Sequence, residues 1–186
     1  MKREIVKYGD SVLRSKGKRI LEVDEGIRSL VSDMLETMHG ANGVGLAAHQ
    51  VGEALQLTVL DVANVEDRPS TLKLNGEDVQ IETVMPLVLL NPKLTLGRET
   101  EQGLEGCLSF PEITADIDRA VSVGAIAETL EGDTVNLEAT GLLARALQHE
   151  VDHLNGILFI DRMSSATKAS LSSRLKRLQK ETQRGE

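Results

Sequence analysis

The chain has 186 residues, enough for one domain with a substantial buried core. With two Phe, one Tyr and no Trp, that core must be built from Leu, Val, Ile, Ala and Met, and a net charge of −8 excludes a generally nucleic-acid-coating surface. No stretch approaches the roughly 18 apolar residues of a membrane span, the first residues lack the apolar core of a secretion signal, and the single cysteine excludes an internal disulfide and fits a reducing, cytoplasmic compartment.

Residues 5–22 read as irregular, with turns at Gly9-Asp10 and Gly17. Asp24 is placed to cap a helix in which Ile27, Leu30, Val31, Met34, Leu35 and Met38 form one apolar stripe, its methionines filling core. His39 falls where that helix runs out into Gly40 and Gly43, and reads as a solvated end-of-helix residue. The next segment, Gly43-Val44-Gly45-Leu46-Ala47-Ala48-His49-Gln50, has two glycines that permit positive φ or close backbone approach. A substrate chain could lie against it, although the pattern alone better describes an ordinary helix-to-strand loop. Leu55–Val62 reads as a strand. Residues 63–83 are polar and predict a mobile excursion, with a small hairpin around Leu72–Leu74 and Val79–Ile81. Leu87–Leu90 is a short strand stopped by Asn91-Pro92, and the acidic run Glu99–Glu105 is expected to be exposed. Ala120–Thr129 alternates as a half-buried strand that Glu131-Gly132-Asp133 turns into Thr134–Glu138. A helix then runs from about Thr140 to Leu154, with Gly156 just beyond its end, and residues 164–186 form another helical candidate. The fold class is α+β, with short antiparallel strands around the helix of residues 140–154. Residues 1–165 are expected to be a single catalytic domain and 166–186 a basic helical tail.

That helix carries the chemistry. His149-Glu150-Val151-Asp152-His153 is an HExxH pattern, and histidines four apart lie one turn above each other on the same face. Both imidazoles can therefore reach one metal ion, while Glu150 points into the same cavity and can handle a water proton. Two histidines leave a catalytic site one ligand short. The extended zinc pattern HExxHxxGxxH fails, because its last histidine position is Phe159. A downstream glutamate is available only as Glu181 or Glu186, in a solvated tail, and neither His39 nor His49 has a partner that marks it as a ligand. Cys107 remains, in the Gly-flanked segment Glu105-Gly106-Cys107-Leu108-Ser109.

Three segments together, GVGLAAHQ at 43–50, EGCLS at 105–109 and QHEVDH at 148–153, resemble the three motifs of the peptide deformylase family, and the resemblance extends over most of residues 1–165. It implies Cys107, His149 and His153 as metal ligands, Glu150 as general base and acid, and Gln50 with the backbone N–H of Leu108 as donors to a developing oxyanion. It also implies an α+β fold, one Fe²⁺ per chain replaceable by Zn²⁺, Ni²⁺ or Co²⁺, and removal of the formyl group from the N-formyl-methionyl end of newly made polypeptides. Val44, Leu142, Ala146 and the ring of His149 would then lie near the methionine pocket, with Gly45 and Gly106 as further substrate-binding positions, although Leu142 and Ala146 fit plain core packing equally well. Arg145 would line a wall with its stem while its guanidinium reaches water. Thr114 stands in a segment where some relatives carry an arginine thought to touch the substrate backbone, and the 63–83 excursion is longer than in many relatives.

Two other readings remain at this point: a metal-holding homologue that binds chain ends without hydrolysis, and a metalloprotease, which Phe159 and the cysteine disfavour. The tail adds a further expectation. Residues 165–186 carry a net +4, leaving −12 on residues 1–164, and Leu171, Leu175 and Leu178 lie on one helical face. The segment is either a solvated helix docked by that stripe or an anchor to the ribosome.

Overall fold

The computed structural model describes residues 1–185, so Glu186 lies outside the described part of the tail. In chain order the elements are α1 (Glu25–Gly40), β1 (Gly45–Ala47), β2 (Leu57–Leu60), β3 (Ser70–Leu74), β4 (Glu77–Val79), a single turn α2 (Ile81–Val84), β5 (Leu87–Leu96), β6 (Thr100–Cys107), β7 (Phe110–Ala120), β8 (Ser122–Glu128), β9 (Thr134–Thr140), α3 (Gly141–Leu154), α4 (Ser165–Ser170) and α5 (Ser172–Arg184). Seven strands form one sheet in the order β1-β2-β5-β8-β9-β3-β4, while β6 and β7 pair separately as a long hairpin. Every described pairing between these strands is antiparallel, as an α+β architecture requires.

The first helix forms as its sequence dictates. The Asp24 carboxylate accepts from the Ile27 N–H, and Leu30, Val31, Met34 and Met38 are buried. The helix α3 is different in kind: twelve of its fourteen residues are buried, leaving almost no solvated face. It packs against β1, β2, β3 and β9. Its first turn gets no side-chain cap from Thr140. Instead the Leu142 N–H donates to the Pro69 carbonyl at 3.3 Å and the Leu143 N–H to Ser70 Oγ at 2.9 Å. Pro69 and Ser70, at the start of β3, thus satisfy donors that a helix start otherwise leaves open.

This contact corrects the expectation of a mobile excursion at 63–83. The hairpin is present, with Asn75 and Gly76 both at positive φ as a two-residue turn of this hand requires, but β3 also pairs with β9 and is part of the main sheet. Pro92 does not end β5 either. A register shift between Leu90 and Lys93 absorbs it, and the strand continues to Leu96. Asn91 is held at the shift by its amide, which accepts from the Ile20 N–H and donates to the Ile20 carbonyl, both at 2.8 Å. From Thr100 the acidic run belongs to strand β6, with Glu99 ahead of it and Glu101 exposed as expected but Glu105 buried. Residues 110–120, for which the sequence suggested no element, form the longest strand among the described residues.

The tail is two helices meeting at Leu171. Leu175 is buried, and Leu171 and Leu178 pack with it against Leu13, Phe110, Ile113 and Phe159. The apolar stripe is therefore spent on docking, and Arg174 reaches the Glu112 carbonyl.

Candidate metal centre and adjoining cavity

Helical geometry places His149 and His153 one turn apart, their ring centroids 5.0 Å from each other. The third group comes from the hairpin. At its turn the register slips, from Gly106 opposite Thr114 to Cys107 opposite Phe110, and this carries the thiol towards α3. One ligand-type atom each from Cys107, His149 and His153 then lie within 4.8 Å of one another, with Cys107 Sγ 3.4 Å from His153 Nε2. A tetrahedral divalent ion with ordinary bond lengths would hold such an S and N about 3.6 Å apart. One sulfur and two nitrogens, buried and convergent, fit a borderline-soft divalent metal.

His149 is oriented from behind. Its Nδ1 lies 2.8 Å from Glu105 Oε1, which commits that nitrogen and leaves Nε2 for the centre. Glu105 also accepts from Arg119 Nε and Nη2, at 2.8 and 2.9 Å, and from Arg145 Nη1 at 3.0 Å. Burial would raise the Glu105 carboxyl, but Arg119 and His149 outweigh it and hold it down to about 2. Arg119 continues to Asp152, which in turn pairs with Arg162. Arg145 departs from the sequence expectation. Its guanidinium is buried rather than solvated, and it donates to Glu105 and to the carbonyls of Ile117 and Glu101. The Glu105 carboxylate and these carbonyls supply the hydrogen-bond partners that water would otherwise give it. Burial disfavours charge on both rings, yet Cys107 and Glu105 raise His149 well above the usual histidine range. His153 is pushed well below that range by burial and then by its charged neighbour.

Glu150 occupies the other side of the same turn. Burial raises its carboxyl to about 7, and Oε2 has no hydrogen-bond partner. Gly45 makes this placement feasible: a Cβ there would lie 2.6 Å from Glu150 Oε1. Gln50 accepts the Ala47 N–H at 3.0 Å and aims its Nε2 at Ser109 Oγ, 3.3 Å away, and at Cys107 Sγ, 3.6 Å away. Leu108 sits in the hairpin turn beside the thiol, its carbonyl accepting from Lys7 Nζ at 3.1 Å. Phe159, rejected above as a ligand, is a buried ring 5.9 Å from the His149 ring and in edge contact with Phe110. His39 pairs with Asp61 and His49 bonds the Ser15 carbonyl, and neither joins the trio.

A cavity of about 480 Å³ opens over these groups. Val44, Gly45, Gly106, Leu142 and Ala146 all line it, together with His149 and Glu150. A larger cleft of about 860 Å³ lies behind α3, lined in part by Gln148 and Asp152, and neither Cys107, His149 nor His153 faces it.

Comparison with known proteins gives this arrangement a family. The family model described as polypeptide deformylase matches residues 2–169. The chain belongs to the polypeptide deformylase family. A peptide deformylase from Opitutus terrae is 44% identical over 184 residues, covering 98% of this chain and 95% of the relative. One from Brachyspira hyodysenteriae is 40% identical over 186 residues, covering 100% and 93%. Among solved structures, a plant peptide deformylase superposes with a TM-score of 0.85 at 36% identity, covering 98% of this chain and 92% of that one. The enzyme from Thermotoga maritima gives 0.75 at 38% identity, covering 88% and 99%. The deformylase fold is thus shared along nearly the whole chain, with the antiparallel strands enclosing α3. Sequence reasoning missed Glu105, Arg119 and Arg145 as groups around the centre. The only available signal was the alternation of Ile113, Ala115 and Ile117, which marks β7 as a strand and turns Arg119 inward. No helix among the described residues is long and apolar enough to cross a membrane.

Proposed function

We propose that the chain hydrolyses the formamide of N-formyl-methionyl polypeptides as they are made in the cytoplasm, releasing formate and a free amino terminus, with one divalent ion held by Cys107, His149 and His153. The observation that carries this reading is the convergence of that trio beneath a cavity that Glu150, one of whose oxygens is buried without a partner, also lines. When bound there, the ion supplies Lewis acidity and brings the pKa of a water towards about 7.

The chain's own groups do the rest. Glu150 takes the proton of the attacking water and delivers it to the departing amine, a transfer for which a carboxyl near neutrality is suited. Gln50 Nε2 and the Leu108 N–H receive the charge that develops on the formyl oxygen, and one such donor contributes about 3 kcal/mol. Glu105 keeps the His149 ring in one orientation and one tautomer, so that binding costs little reorganisation. Val44, Leu142 and Ala146 hold the methionine side chain by apolar contact, and Gly45 and Gly106 let the peptide backbone approach. Residues 1–165 form the catalytic domain, and 166–186 a basic helical extension seated on it. Fe²⁺ is the proposed native ion, and Zn²⁺, Ni²⁺ or Co²⁺ can replace it because these divalent ions accept the same sulfur and nitrogen donors. The exposed cations of α5 are the proposed contact with the ribosome.

The test is formate release from formyl-Met-Ala-Ser by protein purified without oxygen and analysed for metal. Stoichiometric metal with steady formate release is expected. Stoichiometric metal and bound peptide without formate would leave a silent binding homologue in its place.

A further inference from the structure

The mouth of the 480 Å³ cavity carries an uncommitted cation. Arg68 lines the cavity and is exposed, yet among the described residues its guanidinium takes part in no ion pair or hydrogen bond. Of the other charges on the walls, Glu112 and Glu150 likewise make no ion pair among the described residues, while the rest are committed. Glu105 is paired with Arg119 and Arg145, and Lys7 is bonded to the Leu108 carbonyl. Exposed Glu112 lines the cavity from the start of β7, whereas Arg68 approaches from the segment before β3.

That segment is fixed. The two residues that follow Arg68 are the ones bonded to the first turn of α3, through the Pro69 carbonyl and Ser70 Oγ, and Val62 and Val65 ahead of it pack into the main core. A guanidinium on an anchored backbone offers five donors with its main chain already ordered. Leu142, whose N–H makes one of those bonds, itself lines the cavity, so Arg68 stands beside the methionine pocket at its solvent edge.

We infer that Arg68 sets substrate preference, receiving an acidic side chain of the nascent peptide downstream of its formyl-methionine. The inference rests on the deformylase reading and deepens it. A chain of net charge −8 would in general repel an acidic peptide, so a free arginine on the wall of this cavity acts locally against that field. The pair forms equally in the ground and transition states, so it acts on KM and leaves kcat unchanged.

The experiment uses the metal-loaded full chain and amidated peptides beginning formyl-Met-Ala, with Glu, Gln or Lys placed in turn at the third, fourth or fifth residue. At low salt the wild type is expected to favour Glu over Lys by about 5-fold in kcat/KM at one or more of these positions, the scale of a partly exposed ion pair. The difference should lie in KM and shrink with added salt. Arg68→Gln should bring the ratio to about one, Arg68→Lys should retain part of it, and Arg68→Glu should reverse it, while all three turn over the Gln peptide with wild-type kcat. A wild type that deformylates the Gln peptide without distinguishing Glu from Lys, or a preference that survives Arg68→Glu, overturns the role of Arg68 alone. Failure of the wild type to release formate from the Gln peptide refutes the reading of the site and, with it, this inference.

Discussion

Replacing Glu105 by Gln keeps the size of the side chain and removes the charge on which three partners converge. In the native chain its carboxyl is held at about 2 against an ordinary 4.5. At 1.36 kcal/mol for each pKa unit this corresponds to about 3 kcal/mol of stability. The loss of partners gives a similar size. The substitution leaves Arg145 buried without a carboxylate, while Arg119 keeps Asp152, and breaking a buried pair typically costs about 3–5 kcal/mol. The sign follows from the direction of the shift. A depressed carboxylate contributes fully above its unfolded value of about 4.5, and the contribution is lost as the pH falls towards 2. Calorimetry of metal-free wild type and Glu105→Gln should therefore show a gap in midpoint of roughly 6–12 °C at pH 7. The gap should narrow as the pH is lowered from 4.5. Metal affinity should also fall, by about 10- to 100-fold, because the His149 ring loses its orienting partner. A gap below about 1 kcal/mol at neutral pH, or one that persists undiminished on acidification, would refute the assignment of Glu105 as the charge that holds this cluster together.

Glu150→Gln should retain its metal by elemental analysis while formate release falls by about 10²-fold or more, and turnover near the parental level would remove Glu150 from its proposed role. Cys107→Ser should lose metal on gel filtration, since a hydroxyl is a poor soft-metal ligand; full occupancy with unchanged activity would place the third ligand elsewhere. Deleting residues 168–186 should destabilise the chain by roughly 4 kcal/mol, because Leu175 and its two half-buried neighbours leave the cluster around Phe110 and Ile113, and an unchanged midpoint would show that the stripe contributes no packing. Neutralising the exposed Lys176, Lys180 and Arg184 to Gln should leave that midpoint in place while weakening co-sedimentation with ribosomes and its salt dependence, and undiminished binding would reject α5 as an anchor.

What the sequence disclosed, and what it hid, follows from the range over which each feature is encoded. The pair His149 and His153 is legible because a helix converts a spacing of four into one face, and α1 is legible through its cap and its stripe. Cys107 could be reached by elimination and by resemblance, but the slipped register that aims it at α3 is a property of the paired hairpin. Glu105 was read as one more charge in an acidic run because its partners Arg119, Arg145 and His149 are 14, 40 and 44 residues away. The same is true of Arg145, whose burial is decided by a carboxylate on another element. The 63–83 segment reads as mobile because its stability comes from β9 and from the start of α3, neither of which it can encode locally. Pro92 misleads for the opposite reason, in that a local rule was overridden by a bulge.

The strand order also governs how such a chain can fold as it leaves the ribosome. The hairpin of β3 and β4 has only one neighbour in the sheet, and that neighbour, β9, is made about sixty residues later. Until residue 140 has emerged, the early strands β1, β2, β3 and β4 are two separate fragments with open edges, and the distal pair has no sheet to join. The helix that supplies the two histidines of the proposed metal centre follows immediately, and its first turn is bonded by that same late-joining segment. Sheet closure and completion of the centre are thereby one event, placed near the end of synthesis, and the large sequence separations involved predict a slow folding step. Partly made chains would offer a lone thiol and no histidine pair, so with the proposed metal centre the architecture would delay metal capture until the sheet that encloses it exists.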